Sequence, residues 1–114
     1  MLDELQKELE HFVKERDWEQ FHTAKDLAMC LSIETSELLE HFLWREGISH
    51  LNRQDKLEAV KDEVGDVMNA LVLLCKKLNI DLFECALTKL KKTSQKYPAD
   101  VCRGSAEKYT EITS

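Results

Sequence analysis

Val60-Lys61-Asp62-Glu63-Val64-Gly65-Asp66-Val67-Met68-Asn69-Ala70-Leu71-Val72-Leu73-Leu74-Cys75-Lys76-Lys77-Leu78 carries the fold of this 114-residue chain. Val60, Val67, Leu71, Leu74 and Leu78 recur at helical spacing, which predicts an amphipathic helix from about Arg53 to Leu78 with Asn52 as its N-cap. The unbroken apolar run from Ala70 to Cys75 is far too short to cross a bilayer. Working back toward the N-terminus, Leu2, Leu5, Leu9, Phe12 and Val13 mark a helix from about Leu2 to Arg16. Asp17 to His22 form a short aromatic linker. Thr23, with Asp26 three residues on, caps a second helix from about Ala24 to Arg45, stopped before Gly47. Toward the C-terminus, Asp81-Leu82-Phe83-Glu84 has capping-box spacing, and the helix it starts ends near Tyr97-Pro98, where Pro excludes the α conformation of its neighbour. Residues 97–114 read as a polar, extended tail. The expectation is one domain over residues 1–114, an all-α four-helix bundle.

Composition narrows the class. Three Gly and one Pro are too few for a turn-rich β sandwich or barrel. Sixteen Lys and Arg against 22 Asp and Glu leave a net charge of −6, which argues against binding nucleic acid through its phosphates. A phosphorylated ligand would need a cation between two anions. Cys30, Cys75, Cys85 and Cys102 form no C-x-x-C pair and read as reduced thiols, three of them within apolar patterns. The charged, amphipathic start is unlike a signal peptide, so the chain reads as a cytoplasmic protein with no membrane partner. Val72, Leu73, Leu43 and Leu39 fall off the main helical stripes, where a monomer would leave them wet. A second copy of the chain is expected to complete the bundle.

Two acidic pairs do not suit a solvated face: Glu34-Thr35-Ser36-Glu37 on the second helix and Glu63-Val64-Gly65-Asp66 on the third. On a helical wheel Glu34 lies about 60° from Leu31, and Glu63 about 40° from Val67, so both lean toward the core. Residues three apart on a helix have Cβ atoms about 5–6 Å from each other, so each pair can reach one small cation. A partly buried carboxylate needs a partner or a metal. Four carboxylates are hard ligands, suited to Mg²⁺, Mn²⁺ or Ca²⁺ rather than zinc. A di-iron bundle requires two E-x-x-H units on bundle helices; Glu8-Leu9-Glu10-His11 lies on the first helix, but Glu19-Gln20-Phe21-His22 falls in the short linker, so the pattern is not met.

E-x-x-E, a gap of 25 residues, then E-x-x-D resembles the signature of the MazG-like, all-α nucleoside triphosphate pyrophosphohydrolases. Glu15-Arg16-Asp17-Trp18-Glu19-Gln20-Phe21-His22, Glu37-Leu38-Leu39-Glu40-His41-Phe42-Leu43-Trp44, Lys96-Tyr97-Pro98 and Lys108-Tyr109-Thr110-Glu111-Ile112 resemble the dCTP pyrophosphatase branch. The likeness runs from about Leu5 to Ile112. It implies that Glu34, Glu37, Glu63 and Asp66 bind Mg²⁺, with Mn²⁺ as a substitute, and carry the chemistry. It also implies cleavage of the α–β phosphoanhydride of dCTP or a related or modified deoxynucleotide, giving the monophosphate and pyrophosphate. By the same resemblance Trp18, His22 and Trp44 surround the nucleobase. Lys89, Lys96, Lys108 and Tyr109 resemble a basic tail segment that donates to phosphates, and a homodimer or homotetramer is expected.

Some positions depart from the family pattern. Ser36 stands where relatives often carry Gly, Asp26 where they carry Asn, and Thr93 where they carry Asn. Ala70 replaces a Tyr that lines the base pocket in the dCTP pyrophosphatase branch, which opens base preference to other bases. The competing class is a non-catalytic helical interaction module that keeps the bundle without turnover.

Overall fold

A computed structural model describes residues 1–44 and 54–106. Its elements are α1 (Leu2–Glu15), a 3-10 turn (Glu19–Phe21), α2 (Ala24–Glu40), α3 (Gln54–Leu78), α4 (Leu82–Lys96) and α5 (Ala99–Cys102). No strand occurs among the described residues, so the fold is all-α. The chain divides into two compact units, Met1–Ile80 and Asp81–Ser114.

Of the three expected N-caps, the two among the described residues form. Thr23 Oγ1 accepts from the Asp26 N–H at 3.1 Å, and Asp81 Oδ1 accepts from the Glu84 N–H at 2.9 Å. Each satisfies one of the donors that a helix start leaves unpaired. Two helix ends share another device. The Trp18 N–H reaches Val13 O and the Asp17 N–H reaches Lys14 O, while at the end of α3 Ile80 reaches Cys75 O and Asn79 reaches Lys76 O. This paired pattern needs a left-handed residue after the cap. Asp17 (φ 54°) and Asn79 (φ 56°) supply it. Asp and Asn tolerate that region best after glycine, which is how a chain with few glycines still turns sharply.

Two boundaries differ from expectation. Helix α2 stops at Glu40 rather than near Arg45, because His41, Phe42 and Leu43 bond three residues back, to Leu38, Leu39 and Glu40. The tighter turn suits the poor helix formers His41, Phe42 and Trp44. The Gly47 stop and the Asn52 cap lie outside the described residues. The tail is not wholly extended, since Pro98 precedes the one-turn helix Ala99–Cys102.

Within the first unit α3 packs along α2 and also meets α1, and Lys76 Nζ bridges to Glu10 at 3.3 Å. The buried hydrophobic residues are Val13, Leu27, Ala70, Val72 and Cys75. Val72, expected to be wet, is 2% exposed. Ala70 and Val72 lie about 160° apart around the helix. Burying both requires cover on two sides of α3, wider than the single stripe drawn from sequence. Leu39 and Leu43 are exposed as expected, and Leu73 is half-buried. Phe12, placed on the core stripe of α1, is 43% exposed. In the second unit Phe83, Leu87 and Leu90 form an exposed stripe along α4.

Candidate active site

The α2 and α3 packing sets the two acidic pairs against each other. Carboxylate oxygens of Glu34, Glu37 and Glu63 lie within 4.8 Å of one another. All three residues are half-buried, whereas Asp66 is exposed. The hydroxyls between the first pair turn away: Thr35 Oγ1 and Ser36 Oγ both donate to Ser32 O, at 2.8 and 2.9 Å. They therefore do nothing for the neighbouring carboxylates.

Glu34 Oε2 and Glu63 Oε2 are shielded from solvent and have no hydrogen-bond partner. Both carboxyls are pushed above the ordinary carboxylate value. Burial is the main cause at each, followed by the negative charge of Glu37; Asp66 adds to both, and His41 partly opposes the shift at Glu63. Buried acceptors with like charges around them are costly unless a cation compensates. Three converging carboxylates with two unpaired oxygens fit a hard divalent cation. They do not fit a soft metal, because Cys30 is outside the cluster.

Beside the cluster lies a cavity of about 710 Å³ within the first unit. Leu5, Leu9, Phe12 and Val13 of α1, Trp18 and His22 of the connecting turn, and Leu27 and Cys30 of α2 line it, with the polar Glu8, His11, Glu15 and Arg16 along its α1 side. Glu34 lines it too, with Asp66, Asn69, Ala70 and Leu73 of α3. The small Ala70 side chain leaves this wall open. A mostly apolar hollow with a few convergent polar groups is the usual form of a small-molecule site.

Of the residues expected around a substrate, Trp18 and His22 are at the cavity. Trp44 is not: it is 94% exposed, with φ 64°, beyond the end of α2. Lys89 and Lys96 are exposed on α4 in the other unit. Lys108 and Tyr109 lie outside the described residues. Sequence reasoning missed Asn69, Cys30 and His41. Asn69 had a visible signal, a lone amide inside the run Val67 to Cys75, one turn beyond Asp66.

A family model described as MazG-like matches residues 29–112, which include both acidic pairs. The chain belongs to the MazG-like family. Human dCTP pyrophosphatase 1 is 35% identical over 118 residues, taking in 97% of this chain and 67% of the human protein. Rat dCTP pyrophosphatase 1 is 33% identical over 114 residues, with the same two coverages. The crystal structure of a pyrophosphatase from Archaeoglobus fulgidus superposes with a TM-score of 0.74 at 37% identity, covering 84% of this chain and 91% of that one. The alignments with the two dCTP pyrophosphatases take in 97% of this chain, so they include α1 and the Trp18–His22 wall that the family match leaves out. No helix among the described residues is long and apolar enough to cross a membrane.

Proposed function

We propose that this MazG-like protein is a nucleoside triphosphate pyrophosphohydrolase. It hydrolyses dCTP, or a related or base-modified deoxynucleotide, between the α and β phosphates, yielding the monophosphate and pyrophosphate. The observation that carries this reading is the carboxylate cluster with two unpaired, shielded oxygens, set at the wall of a cavity large enough for a nucleoside. The names of the dCTP pyrophosphatase relatives support the substrate class. The biological setting that follows is cytoplasmic cleansing or balancing of the nucleotide pool.

Glu34, Glu37, Glu63 and Asp66 would hold Mg²⁺, or Mn²⁺ in its place. The cation would neutralise the triphosphate and lower the pKa of an attacking water. The chain's own residues do the rest. A carboxylate of the cluster would accept the proton of that water. Trp18 and His22 line the cavity, where they would meet the base. Trp44 and the donors Lys89, Lys96, Lys108 and Tyr109 complete the proposed set, reaching base and phosphates in an assembly of copies.

That assembly follows from the small core. Met29, Ile33, Leu39, Val64, Phe83, Leu87 and Leu90 are each at least half exposed in the single chain, more apolar surface than a lone domain leaves wet. A homodimer or homotetramer would cover it.

The test is a purified-protein assay. With Mg²⁺, dCTP is expected to give dCMP and pyrophosphate in equal amounts, and chelator is expected to stop the reaction. Failure to turn over any triphosphate in a panel of canonical and modified bases would overturn the proposal.

A further inference from the structure

We infer that the turn closing α1 holds Trp18 against the cavity, with Asp17 and Gln20 as positioning residues for that ring. The kinetic part of this inference rests on the substrate reading above; the structural part does not. The backbone of the turn is fixed by two bonds, Trp18 N–H to Val13 O and Asp17 N–H to Lys14 O, each 3.1 Å. The pattern demands a left-handed residue at position 17, where glycine is the easy choice. Asp17 occupies it at φ 54°.

A second contact explains why a side chain is useful there. Gln20 Nε2 donates both to the Asp17 backbone oxygen and to Asp17 Oδ2, at 3.0 Å each. Glycine would satisfy the backbone but would leave the amide without its carboxylate. Asp17 and Gln20 thus tie the turn together on both sides of Trp18. The indole itself is braced by Phe12, ring centroids 5.6 Å apart and 78° between planes. Phe12 is held in turn, because the Arg16 guanidinium sits 3.8 Å over its ring and Arg16 Nη1 donates to Phe12 O at 3.0 Å.

Burial does not account for this ordering, since Trp18 is 44% exposed and Phe12 43%. An exposed ring fixed by contacts among residues 12–20 is a preorganised surface, and preorganisation lowers the entropic cost of binding a flat partner. The partner chemistry is a nucleobase, and the effect belongs in substrate affinity rather than in the chemical step.

The test uses Gln20→Leu, which removes the tie, and Asp17→Gly, which removes its carboxylate half, with Asp17→Asn as the rescue, because Asn tolerates the left-handed region and still accepts from Gln20. The chain has two Trp, so a Trp44→Phe background makes Trp18 the sole indole. In that background Gln20→Leu and Asp17→Gly are expected to lower Trp18 fluorescence anisotropy at unchanged far-UV helicity, and Asp17→Asn to match its parent. In the otherwise wild-type chain the first two are expected to raise KM for dCTP roughly three- to tenfold, the net worth of about one hydrogen bond, with kcat held within about twofold. Unchanged anisotropy in both variants, or a loss of kcat at constant KM, overturns the inference. If the unmutated protein turns over no triphosphate, the proposed function fails, and the anisotropy comparison still decides whether the ring is held.

Discussion

Glu34 and Glu63 come from different helices, and each keeps one oxygen away from water and from any donor. Such groups destabilise the metal-free protein at neutral pH. Their folded pKa values lie above the ordinary 4.5, so the folded state binds more protons than the unfolded chain in the window above that value. Their contribution to stability is fully present below pH about 4.5 and is lost as pH rises through the raised folded values. Glu63→Gln removes one charge from the cluster. In chelator, urea denaturation is expected to find Glu63→Gln more stable relative to wild type at pH 7 than at pH 5. A pH-independent difference would contradict this. Adding Mg²⁺ at pH 7 is expected to stabilise wild type by linkage and to stabilise Glu63→Gln much less. The variant is also expected to lose activity while retaining its helicity, because the ligand charge goes and the shape stays. Wild-type turnover would remove Glu63 from the site.

The helices themselves were largely legible. Thr23 and Asp81 cap as their spacing predicts, because capping is a local bond between a side chain and an amide three residues on. The end of α2 was not, because the change from i−4 to i−3 bonding at His41 to Leu43 leaves no sharp mark such as Gly or Pro. Gly65 carries an element-scale prediction. It lies inside α3, and a Cβ added there meets nothing within 4 Å. Gly65→Ala is therefore expected to stabilise the protein by about 0.5–1 kcal/mol, read by urea denaturation. Asn79 gives the opposite case: Asn79→Ala is expected to cost about 1 kcal/mol, through its left-handed φ, where Asn79→Gly is neutral or stabilising.

For the whole molecule, the core described within one chain is small beside the apolar surface left exposed. Val13, Leu27, Ala70, Val72 and Cys75 make the buried core, while apolar side chains on α2, α3 and α4 stay exposed. Val72→Ala is expected to cost roughly 1–3 kcal/mol in denaturant midpoints, since it empties space at the best-buried side chain. Light scattering on a sizing column is expected to return a mass at least twice 13.3 kDa, and a monomer at micromolar concentration would refute the assembly. The sequence by itself determined the four long helices apart from the end of α2, the caps at Thr23 and Asp81 and the two acidic pairs, because periodicity and side chain-to-backbone bonds act within a few residues. Only the tertiary structure decided that Glu34, Glu37 and Glu63 converge, that Trp18 and His22 share a cavity with Asn69, and that Val72 is buried. Those facts depend on how α1, α2 and α3 are rotated against one another, and a helical wheel drawn for one helix contains no information about its neighbours.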